Sequence, residues 1–333
     1  MPIGRRPRAM IGRSMPGSRG EHQIQADFPA SAPARVSVIT VNFNAGSHLL
    51  DCVRSVLAAA AAEVIVVDNG STDGSLVALR AVWGADPRVR ILENGANLGF
   101  ARANNRALPI ASGDYLLFLN PDCVVPPTAL DRMRDVMEQH PRTGMAGCLL
   151  VNPDGTEQAG CRRDLPTLST AFARALGLSR LARRGRGPFR DYVLRGQPLL
   201  DSPTDVEAIS GAFMFVRRTA LQEVGPLDEA YFLHCEDLDW CMRFRQSGRP
   251  VLFVPDVRVV HDKGRCSRAT PVRVLWHMHR GMVRYYRKFF RHLYPAPMLW
   301  IVTAAVAARF VVLALAAFLR RAPREQTLTA QEP

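Results

Sequence analysis

The sequence predicts an α/β fold in which a mostly parallel central sheet is flanked by helices and followed by a C-terminal helical tail. Short β-branched and apolar runs alternate with segments of helical periodicity, and polar turns rich in Gly and Asn separate them. This alternation is typical of parallel strands with helices on both faces. The 333 residues, 47% of them hydrophobic, suffice for one large core or two modest ones.

Four buried strands are predicted in the first part of the ordered chain. They cover residues 36–41, 64–67, 89–92 and 115–119, and helical periodicity follows the first three. In such sheets the ligand lies beyond the carboxyl ends of the strands. We therefore expect the polar side chains after strands one, two and four to converge there: Asn42, Asn44, Asp68, Ser71, Asp73 and Asp122.

Strand character returns later in the chain, at 212–216, at 251–254 and before His261. The irregular, Arg-rich stretch from about 162 to 203 is expected to be a mobile flap. These features predict three regions: a disordered basic arm at 1–34, a domain at 35–265 with halves 35–125 and 126–265, and basic, apolar helices at 266–333.

An acidic run at 236–239 lies among aromatic and apolar side chains. Glu236 and Asp237 would there avoid bulk water, which raises the pKa of a carboxyl group and lets it accept a proton near neutral pH. The alternative is that these acids only cap a helix, where they suit the helix dipole.

Three further features have both a structural and a chemical interpretation. The turn Asp68-Asn-Gly70-Ser71 could simply cap a helix or could hold a nucleotide. Asp122 could belong to a plain turn or bind a divalent ion that bridges phosphates. His261, at a strand end, could be structural or a second metal ligand.

Taken together and in this order, these motifs resemble inverting glycosyltransferases of family 2, which have the GT-A fold. The resemblance covers about residues 36–262 and is most similar to bacterial rhamnosyltransferases of surface-polysaccharide assembly. It is carried by Val38-Ile-Thr40-Val-Asn42-Phe-Asn44, Val66-Val-Asp68-Asn-Gly70-Ser71-Thr-Asp73, Asn97-Leu-Gly99-Phe100, Phe118-Leu-Asn120-Pro-Asp122, Gly211-Ala-Phe-Met, Glu236-Asp237-Leu-Asp239-Trp240 and His261.

The resemblance implies a role for each matching position. Asp237 would be the catalytic base, with Glu236 beside it and Asp239 supporting the start of the helix. Asp122 and His261 would hold Mg²⁺ or Mn²⁺. Asn120 replaces the first Asp of the usual Asp-x-Asp motif, which leaves one carboxylate fewer for the ion. The donor nucleotide sugar would lie against the remaining positions: Thr40, Asn42, Asn44, Asp68, Gly70, Ser71, Asn97 and Gly99.

The predicted function is transfer of a sugar, rhamnose or a similar one, from a nucleotide-diphosphate sugar to a lipid-linked or growing cell-surface glycan. A dehydrogenase is disfavoured because no Gly-x-Gly-x-x-Gly follows the first strand. A basic membrane- or nucleic-acid-binding protein with a degenerate transferase fold is the other alternative, and the intact acidic run argues against a catalytically dead scaffold.

The net charge of +13 is concentrated near the C-terminus, where residues 263–324 hold thirteen Lys or Arg and no Asp or Glu. A 22-residue apolar run, 298–319, is interrupted by Arg309. An Arg at the bilayer centre costs about 2.5–3.5 kcal/mol on insertion scales. The tail could lie on an anionic leaflet, span the bilayer or pack on the domain. We expect the cytoplasmic face of the cell membrane as the location and no nucleic-acid partner.

Overall fold

The computed structural model describes residues 34–168, 198–199, 201–262 and 271–319. The strands are β1 (Val36–Asn42), β2 (Glu63–Asp68), β3 (Val89–Glu93), β4 (Tyr115–Leu119), β5 (Cys123–Val124), β6 (Met145–Val151), β7 (Arg162–Arg163), β8 (Thr204–Asp205), β9 (Ala208–Ile209), β10 (Phe213–Arg217) and β11 (Val251–His261). The helices are α1 (His48–Ala58), α2 (Ser75–Trp83), α3 (Phe100–Ala107), α4 (Ala129–Gln139), α5 (Arg218–Val224), α6 (Glu236–Gln246), α7 (Pro271–Phe290) and α8 (Ala296–Leu319).

A mixed sheet forms the centre of the fold, in the order β3-β2-β1-β4-β10-β6-β11-β5, with β8 pairing against β11. Its first four strands are all parallel, as the alternation of strands and helices predicts. β10 runs antiparallel to both β4 and β6 and so joins the parallel half to the β6–β11 pair. The short strands β5 and β8 run antiparallel to β11. β7 and β9 form a separate two-stranded sheet.

The core lies on both faces of this sheet. Alternate residues of β1 point to opposite sides, so Val38 packs into one apolar cluster and Ile39 into the other. Every residue of β1, β2, β4 and β6 is buried. Strands covered on both faces read as continuous apolar runs, which is why the sequence located β1, β2 and β4 to within two residues. β6 was not among the predicted strands.

The structure joins two predicted strands into one, because β11 runs without a break from Val251 to His261. Its register against β6 shifts between Val254 and Arg258, a bulge that accommodates the extra residues around Pro255. Most of the predicted flap at 162–203 lies outside the described residues, which include only 162–168, 198–199 and 201–203 of it.

Helix α7 packs directly on the sheet domain. Tyr285 and Tyr286 are buried, and they belong with Phe289 and Phe290 to the same apolar cluster as Trp240 of α6. The predicted boundary at residue 265 therefore does not divide two packing units, since the described chain from Ala34 onward forms one compact unit.

Ion pairs hold the same helix from its polar side. The Lys288 ammonium lies 2.6 Å from the Asp239 carboxylate and 2.8 Å from that of Asp228. Arg284 adds a contact of 2.9 Å to Asp228. Because Asp239 is fully buried, loss of this cation would leave Arg243 as its one ion-pair partner among the described residues.

Helix α8 turns back along α7 and is long and apolar enough to cross a membrane by length and composition. Its outward face exposes large apolar side chains: Trp300, Ile301, Val311, Val312, Leu315, Phe318 and Leu319. Val302 and Val306 are buried on the inward face. Arg309, which interrupts the apolar run, contacts His279 of α7 at 2.9 Å, so its charge does not lie on the exposed apolar face.

If α7 belongs to the core, truncating its buried side chains should destabilise the whole domain. Phe290→Ala should lower the free energy of unfolding by about 3 kcal/mol, since Phe290 is 8% exposed. Phe318→Ala, at a side chain 71% exposed, is the matched control and should have little effect. Urea unfolding of both variants in mild detergent measures the difference, and equal stabilities would show that α7 does not support the core.

Candidate functional site

The loops after β1 and β2 are joined by buried hydrogen bonds centred on Asp68. Its Oδ1 accepts from the Asn42 side-chain amide at 2.8 Å, and its Oδ2 accepts from the backbone N–H groups of Gly70 and Ser71, both at 3.0 Å. The φ of +76° at Gly70 favours glycine, and a Cβ there would lie 3.1 Å from the Ala96 Cα. Hydrogen bonds thus hold the predicted nucleotide-binding turn rigid. We call the loops after β1 and β2, which meet at Asp68, the rim.

A second set of contacts completes this rim. The Asn44 N–H donates to the Ser71 hydroxyl at 3.0 Å, and the Asn44 side chain accepts from the Thr72 N–H at 2.8 Å. Asp73 accepts from the Gly46 N–H at 2.7 Å. The structure therefore brings together the predicted polar groups of strands one and two. Thr40, also predicted, lies inside the sheet and is 0% exposed.

Asn69, which the sequence analysis did not single out, connects this rim to the next loop. Its amide donates to Asn97 Oδ1 and to the Gly99 carbonyl, both at 3.3 Å, and its Oδ1 accepts from Asn94 at 2.7 Å. The only sequence signal for it was its place in the Asp68-Asn-Gly turn. Asn69 is buried within the protein yet borders the cavity described next.

A cavity of about 640 Å³ opens at the carboxyl ends of the central strands. Seven of the predicted site residues line it: Asn97, Gly99, Asn120, Asp122, Glu236, Asp237 and His261. Asn42, Asn44, Asp68, Gly70 and Ser71 do not line it and instead support its rim. The size suits a substrate larger than a monosaccharide.

One end of the cavity holds Asp122 and His261, whose Oδ1 and Nε2 atoms lie 3.1 Å apart. Gln158 forms two hydrogen bonds with His261: its Oε1 lies 2.6 Å from Nδ1, and its amide donates to the His261 carbonyl at 3.1 Å. When Nδ1 carries the proton shared with Gln158, Nε2 presents a lone pair to the carboxylate. Within the described part of the chain, Asp122 Oδ1 is buried without a hydrogen-bond partner.

Two lone-pair donors facing each other in a buried site suit a cation between them, so these residues fit a divalent metal ion. The Cys123 Sγ lies within 4.8 Å of both ligand atoms. Burial raises the pKa of this thiol well above its ordinary value, with the Asp122 charge adding to the shift, so it remains protonated. The Asn120 amide lies 3.4 Å from His261 Nε2.

The acidic residues enter the cavity from a tight turn before α6. His234 and Cys235 both have positive φ, 68° and 71°, which is uncommon for residues with a Cβ. The turn is held on two sides: the Phe232 carbonyl accepts from the Phe100 N–H at 2.7 Å, and Gly281 of α7 packs against the His234 carbonyl. A Cβ at Gly281 would lie 2.9 Å from that oxygen.

Asp237 is surrounded by donors. Its Oδ2 accepts from Arg163 at 2.5 Å and from the Gly211 N–H at 3.0 Å, and its Oδ1 accepts from the Leu238 N–H. Burial acts to raise the pKa of Asp237, but the Arg163 charge and these hydrogen bonds outweigh it and lower the pKa below its ordinary value. No local sequence pattern indicates that Arg163 would pair with Asp237.

Glu236 is in the opposite situation. It is buried, and its Oε2 has no hydrogen-bond partner among the described residues. Burial, and then the negative charge of Asp237, raise the pKa of Glu236 to about 8. The expected rise in pKa therefore holds for Glu236 and is wrong for Asp237. Asp239 faces away from the cavity and binds Arg243 and Lys288.

This difference predicts a pH-dependent stability. A carboxyl group whose pKa rises on folding contributes its full stabilisation to the folded state below its ordinary pKa, which is 4.5 for Glu236. This contribution is lost as the pH rises to about 8. The resulting fall in the free energy of unfolding is on the order of 1 kcal/mol per pH unit at most, and Glu236→Gln should remove part of it. Asp237→Asn removes only the part of the Glu236 shift that the Asp237 charge causes, and it also loses a carboxylate whose lowered pKa stabilises the fold at higher pH, so its stability should still fall as the pH rises. Denaturant unfolding at pH 5, 6.5 and 8 compares them, and parallel profiles for wild type and Glu236→Gln would contradict the assignment.

Solved structures share this fold. A mannosyltransferase from Pyrobaculum calidifontis, solved with GDP-Man and Mn²⁺, superposes with a TM-score of 0.53 at 18% identity, covering 88% of this chain and 77% of its own. GalNAc-T7, solved with UDP, GalNAc and Mn²⁺, gives a TM-score of 0.51, also at 18% identity, over 88% of this chain and 59% of its own. The fold is the GT-A fold.

Curated relatives agree with the fold. The N-acetylglucosaminyl-diphospho-decaprenol L-rhamnosyltransferase of Mycobacterium tuberculosis (strain H37Rv) is 29% identical over 290 residues, which cover 82% of this chain and 90% of the relative. The rhamnosyltransferase WbbL of Escherichia coli (strain K12) is 26% identical over 194 residues, covering 56% of this chain and 69% of the relative. The model of the family described as glycosyl transferase family 2 matches residues 37–225, more than half of the chain. The protein belongs to glycosyltransferase family 2.

Proposed function

We propose that this glycosyltransferase transfers a hexose-type sugar, such as rhamnose, from a nucleotide-diphosphate sugar to a lipid-linked or growing cell-surface glycan. The transfer inverts the configuration at the anomeric carbon. The observation that carries the proposal is that one cavity joins an ionised carboxylate, Asp237, to the paired donors Asp122 and His261. The names of the mycobacterial and E. coli relatives support rhamnose and, for the former, a lipid-diphosphate acceptor.

The nucleotide sugar would bind against the rim built on Asp68. Asn97 and Gly99 supply polar and backbone groups on the cavity side, and Asn69 adds a buried amide. Asn42, Asn44, Gly70 and Ser71 act by fixing the Asp68 turn, and Thr40 acts from within the sheet. A preformed site of this kind lowers the entropy lost on binding.

Asp237 is the proposed catalytic base. A base must be ionised to accept a proton, and Arg163 together with the Gly211 N–H keeps Asp237 ionised at neutral pH. The acceptor oxygen forms a bond to the anomeric carbon as the bond from that carbon to the diphosphate oxygen breaks, and the acceptor proton passes to Asp237. Glu236, protonated up to about pH 8, can donate a hydrogen bond beside it.

Asp122 and His261 are the proposed ligands of Mg²⁺ or Mn²⁺, with Asn120 adjacent. A divalent ion at this position supplies charge neutralisation for the diphosphate leaving group. Gln158 holds the His261 ring in the orientation that presents Nε2 to the cavity. The two neighbours solved with Mn²⁺ have the same fold and support a divalent ion here.

The proposed location is the cytoplasmic face of the cell membrane, with α8 in contact with an anionic bilayer. Eight large apolar side chains of α8 are exposed. Arg280 and Arg287 of α7 are exposed nearby along the chain, as is Arg291 just after that helix. Anionic lipid attracts each such cation by about 1 kcal/mol.

Nucleoside-diphosphate release across a panel of sugar nucleotides, with a lipid-diphosphate GlcNAc acceptor, tests the function. Asp237→Asn should lower kcat by about 10²–10⁴ because the amide cannot accept the acceptor proton. Glu236→Gln keeps a neutral side chain in place and should retain most of the activity. If Glu236→Gln were the inactive variant and Asp237→Asn active, Glu236 would be the base. If none of the sugar nucleotides in the panel supported nucleoside-diphosphate release, the proposed function itself would be contradicted.

The metal proposal predicts that Asp122→Asn weakens nucleoside-diphosphate binding in the presence of Mn²⁺ to the level that the wild type shows in EDTA. The amide cannot neutralise the ion, although it can still fill the space beside His261. Asp256→Asn removes an exposed surface carboxylate and is the matched control. Titration calorimetry with and without Mn²⁺ measures the effect, and wild-type binding that ignores EDTA would remove the metal role.

The membrane proposal predicts that the triple variant Val312→Glu, Leu315→Glu and Phe318→Glu no longer floats with anionic vesicles. These side chains are exposed on α8, so the domain should remain folded. Val77→Glu with Val82→Glu, at exposed apolar positions of α2, is the control and should float normally. Wild-type protein that stays unbound to anionic vesicles at low salt would end the membrane proposal.

A further inference from the structure

The cavity extends well past the two carboxylates of α6. Beyond Glu236 and Asp237 its wall is formed by α7 and α8, two helices that follow the region matched by the family model. The turn Phe232–Cys235 lies between the two ends: its Phe232 carbonyl bonds to Phe100 on the rim side, and the Phe232 ring stacks on His277 of α7 at 4.3 Å. A substrate that approaches the carboxylates from the end opposite Asp122 must therefore touch α7 and α8.

This α7–α8 wall combines two cations with apolar side chains. Arg273 and Arg309 line the cavity, as do the apolar Val274, Met278, Met282 and Val306. Carboxylates are absent from the wall, because among described residues neither α7 nor α8 contains an Asp or Glu. Such a wall is complementary to a ligand that has an anionic head and a hydrocarbon chain.

The two guanidinium groups are held at the cavity. Arg273 lies over the Phe232 ring, 5.8 Å from its centroid, where a cation is favoured by the aromatic face. Arg309 lies 2.9 Å from His279 Nε2, and His279 Nδ1 lies 2.7 Å from the Leu275 carbonyl. The carbonyl requires the proton on Nδ1, so Nε2 accepts from Arg309 and directs it inward.

The outer surface of the same hairpin is the exposed apolar face of α8. Val306 and Arg309 stand on the inward side of this helix, and Val312 and Leu315 stand on the outward side, so a single helix separates the cavity from the apolar surface. The apolar side of the cavity and the exposed apolar surface are therefore only one helix apart.

We propose that the α7–α8 wall is the acceptor subsite, in which Arg273 and Arg309 bind the diphosphate of a polyprenyl-diphosphate-linked sugar and the apolar side chains of the wall hold its first isoprene units. The inference rests on the proposed transferase function and deepens it by assigning the acceptor class to named residues. Guanidinium groups bind phosphate oxygens in bidentate fashion, which suits a diphosphate.

The test uses farnesyl diphosphate as the binding probe and the full-length protein in EDTA, which prevents binding through a metal. Arg273→Gln with Arg309→Gln should weaken binding about tenfold or more, because two charge-assisted contacts are lost. Arg142→Gln with Arg258→Gln removes the same charge from exposed positions of the sheet domain and should change binding less than about twofold. Farnesol and inorganic diphosphate, tested separately, should each bind more weakly than the complete probe.

Nucleoside-diphosphate binding shows whether a variant has lost only the α7–α8 wall or has misfolded. The Arg273/Arg309 variant should bind nucleoside diphosphate with Mn²⁺ as the wild type does, whereas Asp122→Asn should lose that binding and keep farnesyl diphosphate binding in EDTA. Equal loss of farnesyl diphosphate binding in the two double-Gln variants would overturn the proposal, as would loss in Asp122→Asn.

Transfer assays then separate this inference from the proposed function. If transfer to a farnesyl-diphosphate-linked GlcNAc occurs and its KM is the same in the Arg273/Arg309 variant as in the wild type, the subsite is wrong and the function stands. If the selective loss of farnesyl diphosphate binding is found but no sugar nucleotide supports transfer, the subsite stands and the proposed function fails.

Discussion

Two adjacent carboxylates are buried at the start of α6, and of the two only Asp237 forms an ion pair among the described residues. This constraint organises the site, because two neighbouring buried charges repel each other strongly in a low-dielectric interior. Arg163 and the Gly211 N–H stabilise the ionised form of Asp237, while Glu236 holds its proton up to about pH 8. One helix turn thereby presents an acceptor and a donor of protons side by side. The left-handed residues His234 and Cys235 make that turn possible at a cost in backbone strain.

The strained turn persists because elements from both ends of the chain hold it. Gly99 is so close to Phe232 that a Cβ would meet its carbonyl at 2.5 Å, and Gly281 approaches the His234 carbonyl from the other side. Cys235 Sγ also lies 3.7 Å from the Met278 carbonyl. Helix α7 is in turn fixed by Lys288 and its buried aromatic residues. The C-terminal helices are thus part of the machinery that positions the acidic turn, which is why we assign them a larger role than that of an anchor.

Much of the fold followed from the sequence because the pattern is local. Each central strand is a short apolar run ended by a polar turn, and the boundaries of β1 to β4 were predicted within two residues. The rim around Asp68 was predictable for the same reason, since parallel strands end at one edge of a sheet. Contacts between distant segments were not predictable. Arg163 reaches Asp237 from 74 residues away, and Gln158 reaches His261 from 103 residues away. Neither has a local pattern that distinguishes it from an ordinary surface Arg or Gln.

Arg309 shows how one residue changes meaning once its neighbours are known. In the sequence it is a charge in the middle of an apolar run and counts against a membrane helix. In the structure it contacts His279 and borders the cavity, while the exposed face of α8 carries the apolar side chains. The burial of His279, followed by the Arg309 charge, lowers the pKa of the imidazole and keeps it a neutral acceptor despite its bond to Leu275. The charge therefore need not enter hydrocarbon if the outer face of α8 meets a bilayer, and the same helix can border a polar cavity on one side and lipid on the other.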